Sequence, residues 1–143
     1  GANGKLIDDE ENSEILPYIF GEFNSQNFLS LKKDIARSTP NHEGFKFIHT
    51  DVVKREIKIS HGTHSVSRNL ILPSGYLVIV GPGTKLNLTN RSLIYSHSPL
   101  KFVGTKEDPV IITSSDKTGQ GLAVVGAKDA SYLEYVQFSN LLG

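Results

Sequence analysis

The 143-residue chain contains no cysteine, no methionine and no tryptophan. Without cysteine there is no disulfide framework, no thiol nucleophile and no cysteine-based zinc site. Lys plus Arg equal Asp plus Glu at 15 each, so the formal net charge is zero. A chain without net charge has no long-range field to draw in nucleic acid or anionic lipid. The longest apolar run, Tyr76 to Val80, falls far short of the ~20 residues a membrane helix needs. Neither nucleic-acid binding nor membrane insertion is therefore expected. The chain opens on Gly1-Ala2 instead of methionine, which reads as a junction and leads us to expect a piece of a longer protein. There is no Gly-x-Ser-x-Gly elbow, His-Glu-x-x-His pair or Gly-Lys-Ser/Thr phosphate loop, which disfavours the chemistries those motifs carry.

What the chain does have is a period. Gly62-Thr63, Gly83-Thr84 and Gly104-Thr105 recur at 21-residue intervals, and Gly126-Ala127 follows 22 later. A period of that size marks a solenoid, and the C-terminal half reads as about four coils. Written from the glycines, Ile79, Leu100 and Leu122 precede the next Gly by four residues, while Phe102 and Val124 precede it by two. Residues two apart on a strand share a face, so these predict an interior face. Leu70 with Leu72, Leu93, and Val110 with Ile112 align only with slips of one or two residues, which implies a second strand per coil of unfixed register. Leu133, Tyr135 or Val136, and Phe138 offer inward faces for an unfinished fourth coil. The recurring Gly fits a turn that needs positive φ or a close backbone approach, and the threonines beside it are candidates to stack from coil to coil.

Upstream, Gly1 to Ser13 carries Asp8, Asp9, Glu10 and Glu11 and reads as a solvated arm,. Asn24 or Ser25 can cap an amphipathic helix from Gln26 to Arg37, with Phe28, Leu31 and Ile35 on one face and Pro40 beyond its end,. Such a helix is expected to lie across the open end of the stack, where unpaired backbone and apolar surface need cover; docking to a partner protein is its alternative. Phe45 to Val53 and the cleanly alternating Glu56-Ile57-Lys58-Ile59 are the first strands,. The expected organisation is an arm and helical cap over residues 1–56, then β-helix coils over 57–143.

The run from Leu70 through Pro73-Ser74-Gly75 to Ile79, then Gly81-Pro82-Gly83-Thr84, Pro99-Leu100 to Gly104-Thr105, and Asp108-Pro109-Val110-Ile111-Ile112 resembles right-handed parallel β-helix repeats of the pectin-lyase-like class. The tail from Ser114 to Leu122, ending Tyr132 to Ser139, is similar to coils of bacterial cell-surface proteins, including some with spore-coat kinase-like domains. The resemblance covers about residues 57–143. It implies an all-β, right-handed parallel β-helix, a single-stranded solenoid of 21–22 residues per coil, exported or held at the cell surface. It implies no one function, because that fold carries lyases, hydrolases, epimerases, adhesins and stalks alike.

Enzymes on this fold line an outer face with acids and bases. Asp108, Asp116 and Asp129 are this chain's candidates, if two of them reach the ~5 to 9 Å that glycosidase carboxylates use; otherwise they are turn residues. His61 and His64 flank Gly62-Thr63, and His97 falls in a later coil and a different column, which leaves a zinc site short of a third fixed ligand. The polar loop Ser114 to Gly121 is one residue longer than its equivalents by this ruler. Its Ser114, Ser115, Asp116 and Thr118 are the candidate binding residues, for a sugar or a calcium ion. Tyr76, Tyr95, Tyr132 and Tyr135 are possible aromatic sugar contacts or edge-of-core residues. No catalytic residue, metal site or cofactor is assigned. The expected function is a non-catalytic scaffold or binding module of a larger exported or surface-associated bacterial protein. Its partners would be the rest of that protein, carbohydrate, or a second copy joined end to end through the unfinished coil. The alternative is a fragment of a polysaccharide lyase, hydrolase or epimerase whose catalytic coils lie beyond residue 143.

Overall fold

Short runs of Val, Ile and Leu broken by Gly, Pro, Asn and Ser leave room for strands of only three to five residues, and the chain stacks these in parallel. The computed structural model describes residues 18–20 and 39–142. Its elements are β1 (Tyr18–Phe20), a 3-10 turn (His42–Gly44), β2 (Ile48–Asp51), β3 (Glu56–Ile59), β4 (Gly62–Val66), β5 (Leu70–Leu72), β6 (Leu77–Val80), β7 (Thr84–Leu88), β8 (Leu93–Ser96), β9 (Leu100–Val103), β10 (Val110–Thr113), β11 (Gly121–Val124), β12 (Tyr132–Glu134) and β13 (Val136–Phe138). The predicted helix over 26–37 lies outside the described residues.

Three strands make one coil, and each joins a different sheet. Sheet 1 has the order β12-β9-β6-β3-β2, sheet 2 β13-β10-β7-β4, and sheet 3 β1-β11-β8-β5. Every coil-to-coil pairing is parallel. The protein is thus an all-β parallel β-helix of three full coils and the first two strands of a fourth. The sequence had suggested two strands per coil; the third arises because the inward residues Leu70 and Leu72, Leu100 and Phe102, and Val110 and Ile112 belong to three different walls around one core.

Side chains in register form the core columns. Ile59, Val80, Phe102 and Leu133 stack along sheet 1, and Leu86, Ile112 and Phe138 along sheet 2 below His64. Ile79 corrects the glycine ruler: it aligns with Lys101 on the outside, and Val78 takes the inward place opposite Leu100. The Gly-Thr pairs do not stack on one another either. Gly62 aligns with Thr84, and Thr63 with Lys85, so there is no ladder of threonines. The 21–22-residue pitch holds from Glu56 to Leu77 and from Val78 to Leu100, but Lys101 meets Tyr132 31 residues on. All three corners of the third coil are longer than those of the second.

The upper end is closed by local chain. β2 folds back antiparallel on β3, so residues 48–51 extend sheet 1. Asn41 covers the free edge of β5: its N–H donates to the Ile71 carbonyl, its side-chain carbonyl accepts from the Ile71 N–H, and its amide donates to the Asn69 carbonyl. Phe47 stacks on the His64 ring at 4.4 Å, and the Arg68 guanidinium lies 4.1 Å over the buried Phe45 ring. His42 is buried here with an unpartnered Nδ1, and its burial lowers its pKa, partly opposed by the Glu43 charge. At the lower end β1 runs antiparallel along β11, in the position a third strand of the fourth coil would take.

Candidate functional site

The corners decide where chemistry can occur, because the strands bury one face and the corners hold the long polar connections. Asp108 sits between sheets 1 and 2, Asp116 between sheets 2 and 3, and Asp129 between sheets 3 and 1. One aspartate per corner puts a whole strand between any two of them, about 13 Å for four residues. That is wider than the ~5 to 9 Å of a glycosidase pair, so the paired-acid arrangement is not formed by these three residues.

The polar loop from Ser114 lies at the corner of sheets 2 and 3. It runs from Ser114 to Gln120, against Thr89 to Ser92 in the coil above. Asp116 Oδ2 accepts from the Asn90 N–H at 2.9 Å. Asp116 Oδ1 accepts from Ser114 Oγ, the Thr118 N–H and Thr118 Oγ1. Thr118 Oγ1 also accepts from the Arg91 N–H, and Ser114 Oγ from the Gly119 N–H. Ser115 and Asn87 exchange two bonds, Ser115 N–H to Asn87 Oδ1 and Asn87 Nδ2 to Ser115 Oγ. The four residues singled out in the sequence are therefore brought together, and their polar groups join the third coil to the second.

These bonds, foremost that from Asn90, hold the Asp116 carboxyl far below the usual carboxylate range. A group so depressed contributes stability that is present above its unfolded pKa of about 3.9 and lost as pH falls toward the folded value. Asp116→Asn is therefore expected to lower the urea midpoint at pH 7. The gap between variant and wild type should narrow as pH is taken from 5 to 2, because the unfolded wild-type chain takes up a proton on Asp116 there while the folded carboxyl stays ionised, and the variant has no carboxyl to titrate. A pH-independent gap would show that the charge is not what holds the corner.

The histidines are dispersed. His64 Nε2 lies 2.7 Å from the Ser60 carbonyl and its ring is packed on Phe47. His61 is exposed, and His97 meets the Tyr95 ring edge-on at 5.0 Å. Among the described residues no three His, Asp or Glu side chains gather to hold a metal. Tyr95 is buried on the outer face of sheet 3, and burial raises its pKa. Tyr132 and Tyr135 are exposed on the last coil.

A recess of about 620 Å³ opens at the corner of sheets 3 and 1, where three successive connections stack. Arg55, Tyr76, His97, Lys128 and Asp129 line it. Arg55 is fixed: its guanidinium lies 4.1 Å over the Tyr76 ring, Nε donates to the Gly75 carbonyl at 3.1 Å, and Nη1 reaches the Tyr76 hydroxyl at 3.3 Å. Tyr76 is tied to the next corner by Ser98, whose hydroxyl donates to the Pro73 carbonyl and accepts from the Tyr76 N–H. Lys128 and Asp129 are exposed on the connection from Val125 to Ser131. The recess thus offers one pre-oriented cation, one exposed cation, one carboxylate and one aromatic ring, a set suited to hydrogen-bonding a polyhydroxylated ligand,.

Sequence reasoning named Tyr76, His97 and Asp129 separately but not together, and it missed Arg55 and Lys128. No local pattern joins them, since their meeting depends on stacking three corners of different length. Comparison with protein-family models, curated proteins and solved structures finds no match. No helix among the described residues is long and apolar enough to cross a membrane.

Proposed function

We propose that this chain is a non-catalytic β-helix scaffold and binding module of a larger exported or surface-associated bacterial protein, and that the recess between sheets 3 and 1 holds carbohydrate. The observation that carries the reading is the distribution of the three aspartates over three corners, set against one recess where Arg55, Lys128 and Asp129 converge. Acids kept a strand apart do not share a glycosidic bond. Donors and an acceptor around one hollow do match a sugar's hydroxyls.

A glycan array followed by titration calorimetry tests this. Binding is expected for at least one glycan, and Lys128→Ala or Asp129→Ala should each weaken it about tenfold, or ~1.4 kcal/mol. Substitution of Asp116, on the far corner, should leave the affinity unchanged. Absence of binding at millimolar sugar would reduce the module to a stalk. Turnover of a uronic-acid polymer, abolished by Asp129→Asn, would instead make it part of an enzyme.

A further inference from the structure

The recess between sheets 3 and 1 is unevenly charged. Arg55 and Lys128 line it against a single carboxylate, Asp129, in a chain whose 15 basic and 15 acidic residues balance. Among the described residues the one ion pair joins Lys58 to Glu56, so neither cation of the recess is paired with a carboxylate there. Unpaired cations at a hollow concentrate anions locally even on a protein without net charge.

Arg55 is held where Lys128 is not. The turn between β2 and β3 that carries it is fixed at one end by Asp51 Oδ1, which accepts from the Val53 and Lys54 N–H groups at 3.0 Å each. At the other end the Arg55 carbonyl accepts from the Leu77 N–H at 3.0 Å, which ties the turn to β6. The guanidinium lies over the Tyr76 ring, with Nε on the Gly75 carbonyl and Nη1 on the Tyr76 hydroxyl. Nη2 donates to no protein group among the described residues. It sits over Gly75, where a Cβ would come within 3.0 Å of it, so the absence of a side chain at 75 gives it room. A guanidinium stays charged at every pH a folded protein meets, and its fork of N–H donors matches two oxygens of a carboxylate or sulfate. A neutral hydroxyl in the same place leaves the charge unmatched.

We propose that Arg55 is the specificity-determining residue of the recess: its Nη2 edge takes an anionic substituent of the bound saccharide, a carboxylate or a sulfate, with Lys128 as the second cation and Asp129 accepting from a neighbouring hydroxyl. This inference rests on the reading of the recess as a carbohydrate site and adds the class of carbohydrate, an acidic one.

The full chain is titrated by calorimetry with three probes on one backbone: an oligouronate, the same oligosaccharide with its carboxyls reduced to alcohols, and the sulfate ester of that reduced form. At least one of the two anionic probes is expected to bind about tenfold more tightly than the neutral one at low salt, and the tighter of the two identifies the anion. That preference should shrink as NaCl is raised from about 0.02 to 0.5 M, because screening weakens exposed charge pairs. Arg55→Gln should bring the ratio of acidic to neutral affinity close to one, a change in selectivity that a merely structural role would not produce. Lys128→Gln should keep part of the preference. If Arg55→Gln does not fold, Arg55→Lys decides, since it retains the charge without the fork and should lose most of the preference. Binding of none of the probes would overturn the carbohydrate reading and this inference with it. Neutral and acidic probes of equal affinity would leave the carbohydrate reading standing and overturn the role of Arg55, as would a full preference in folded Arg55→Gln or Arg55→Lys.

Discussion

Phe102→Ala is expected to destabilise the protein by about 3 to 5 kcal/mol, the range for removing a buried phenylalanine without full collapse of the cavity. Phe102 is fully buried in the third coil. It is stacked between Val80 above and Leu133 below, each in register on sheet 1. Neither neighbour can close the gap, because each is tied by its own strand to the coil spacing of about 4.8 Å. With a urea dependence of about 2 kcal/mol per molar, the denaturation midpoint should fall by roughly 2 M. Tyr132→Ala removes a ring that is 54% exposed and should cost about 0.5 kcal/mol or less. Equal losses from the two variants would mean that the stacked column is not the source of stability.

Gly104→Ala should be nearly as damaging, at about 3 kcal/mol, and for a reason its sequence twin does not share. A Cβ on Gly104 would lie 2.6 Å from the Val110 nitrogen, 2.7 Å from the Tyr135 carbonyl oxygen and 2.8 Å from the Pro109 Cα. All three are backbone atoms, two in the same corner of the third coil and one in the fourth, so relief requires that corner to open and the fourth coil to move away. The Gly104 N–H already bonds the Glu134 carbonyl at 2.9 Å, which fixes that approach. Gly83 has open space around its missing Cβ but a φ of +77°, so Gly83→Ala pays only the left-handed penalty of about 1 kcal/mol. Urea titration of both variants checks the order, and a costlier Gly83→Ala would refute the account of Gly104.

The contrast between these glycines shows why the period misled in detail while serving in outline. Gly-Thr recurs at a constant interval, yet Gly83 provides a turn conformation and Gly104 provides clearance. Different demands that select the same residue look identical in a sequence. The true register follows side-chain stacking, which places Val78, not Ile79, above Leu100. Likewise the Ser114–Thr118 loop was legible as a polar cluster, but its bonds to Asn87, Asn90 and Arg91 lie 26 to 28 residues away in sequence. The recess was legible only as scattered residues.

The sequence by itself determined the class of architecture. Apolar strands too short for crossover helices, punctuated by Gly, Pro and Asn, can pair in parallel only by winding one coil on another. It also determined much of the interior, since Leu100, Phe102, Leu122 and Val124 are all buried. The tertiary structure alone shows that a coil has three sides, that each aspartate takes a different corner, and that Arg55 lines the same recess as Lys128 and Asp129. The physical reason is that pattern within a strand fixes which face is buried. The relation between strands depends on corner lengths and on which side chains fill the shared core, and those contacts join residues 20 to 30 apart.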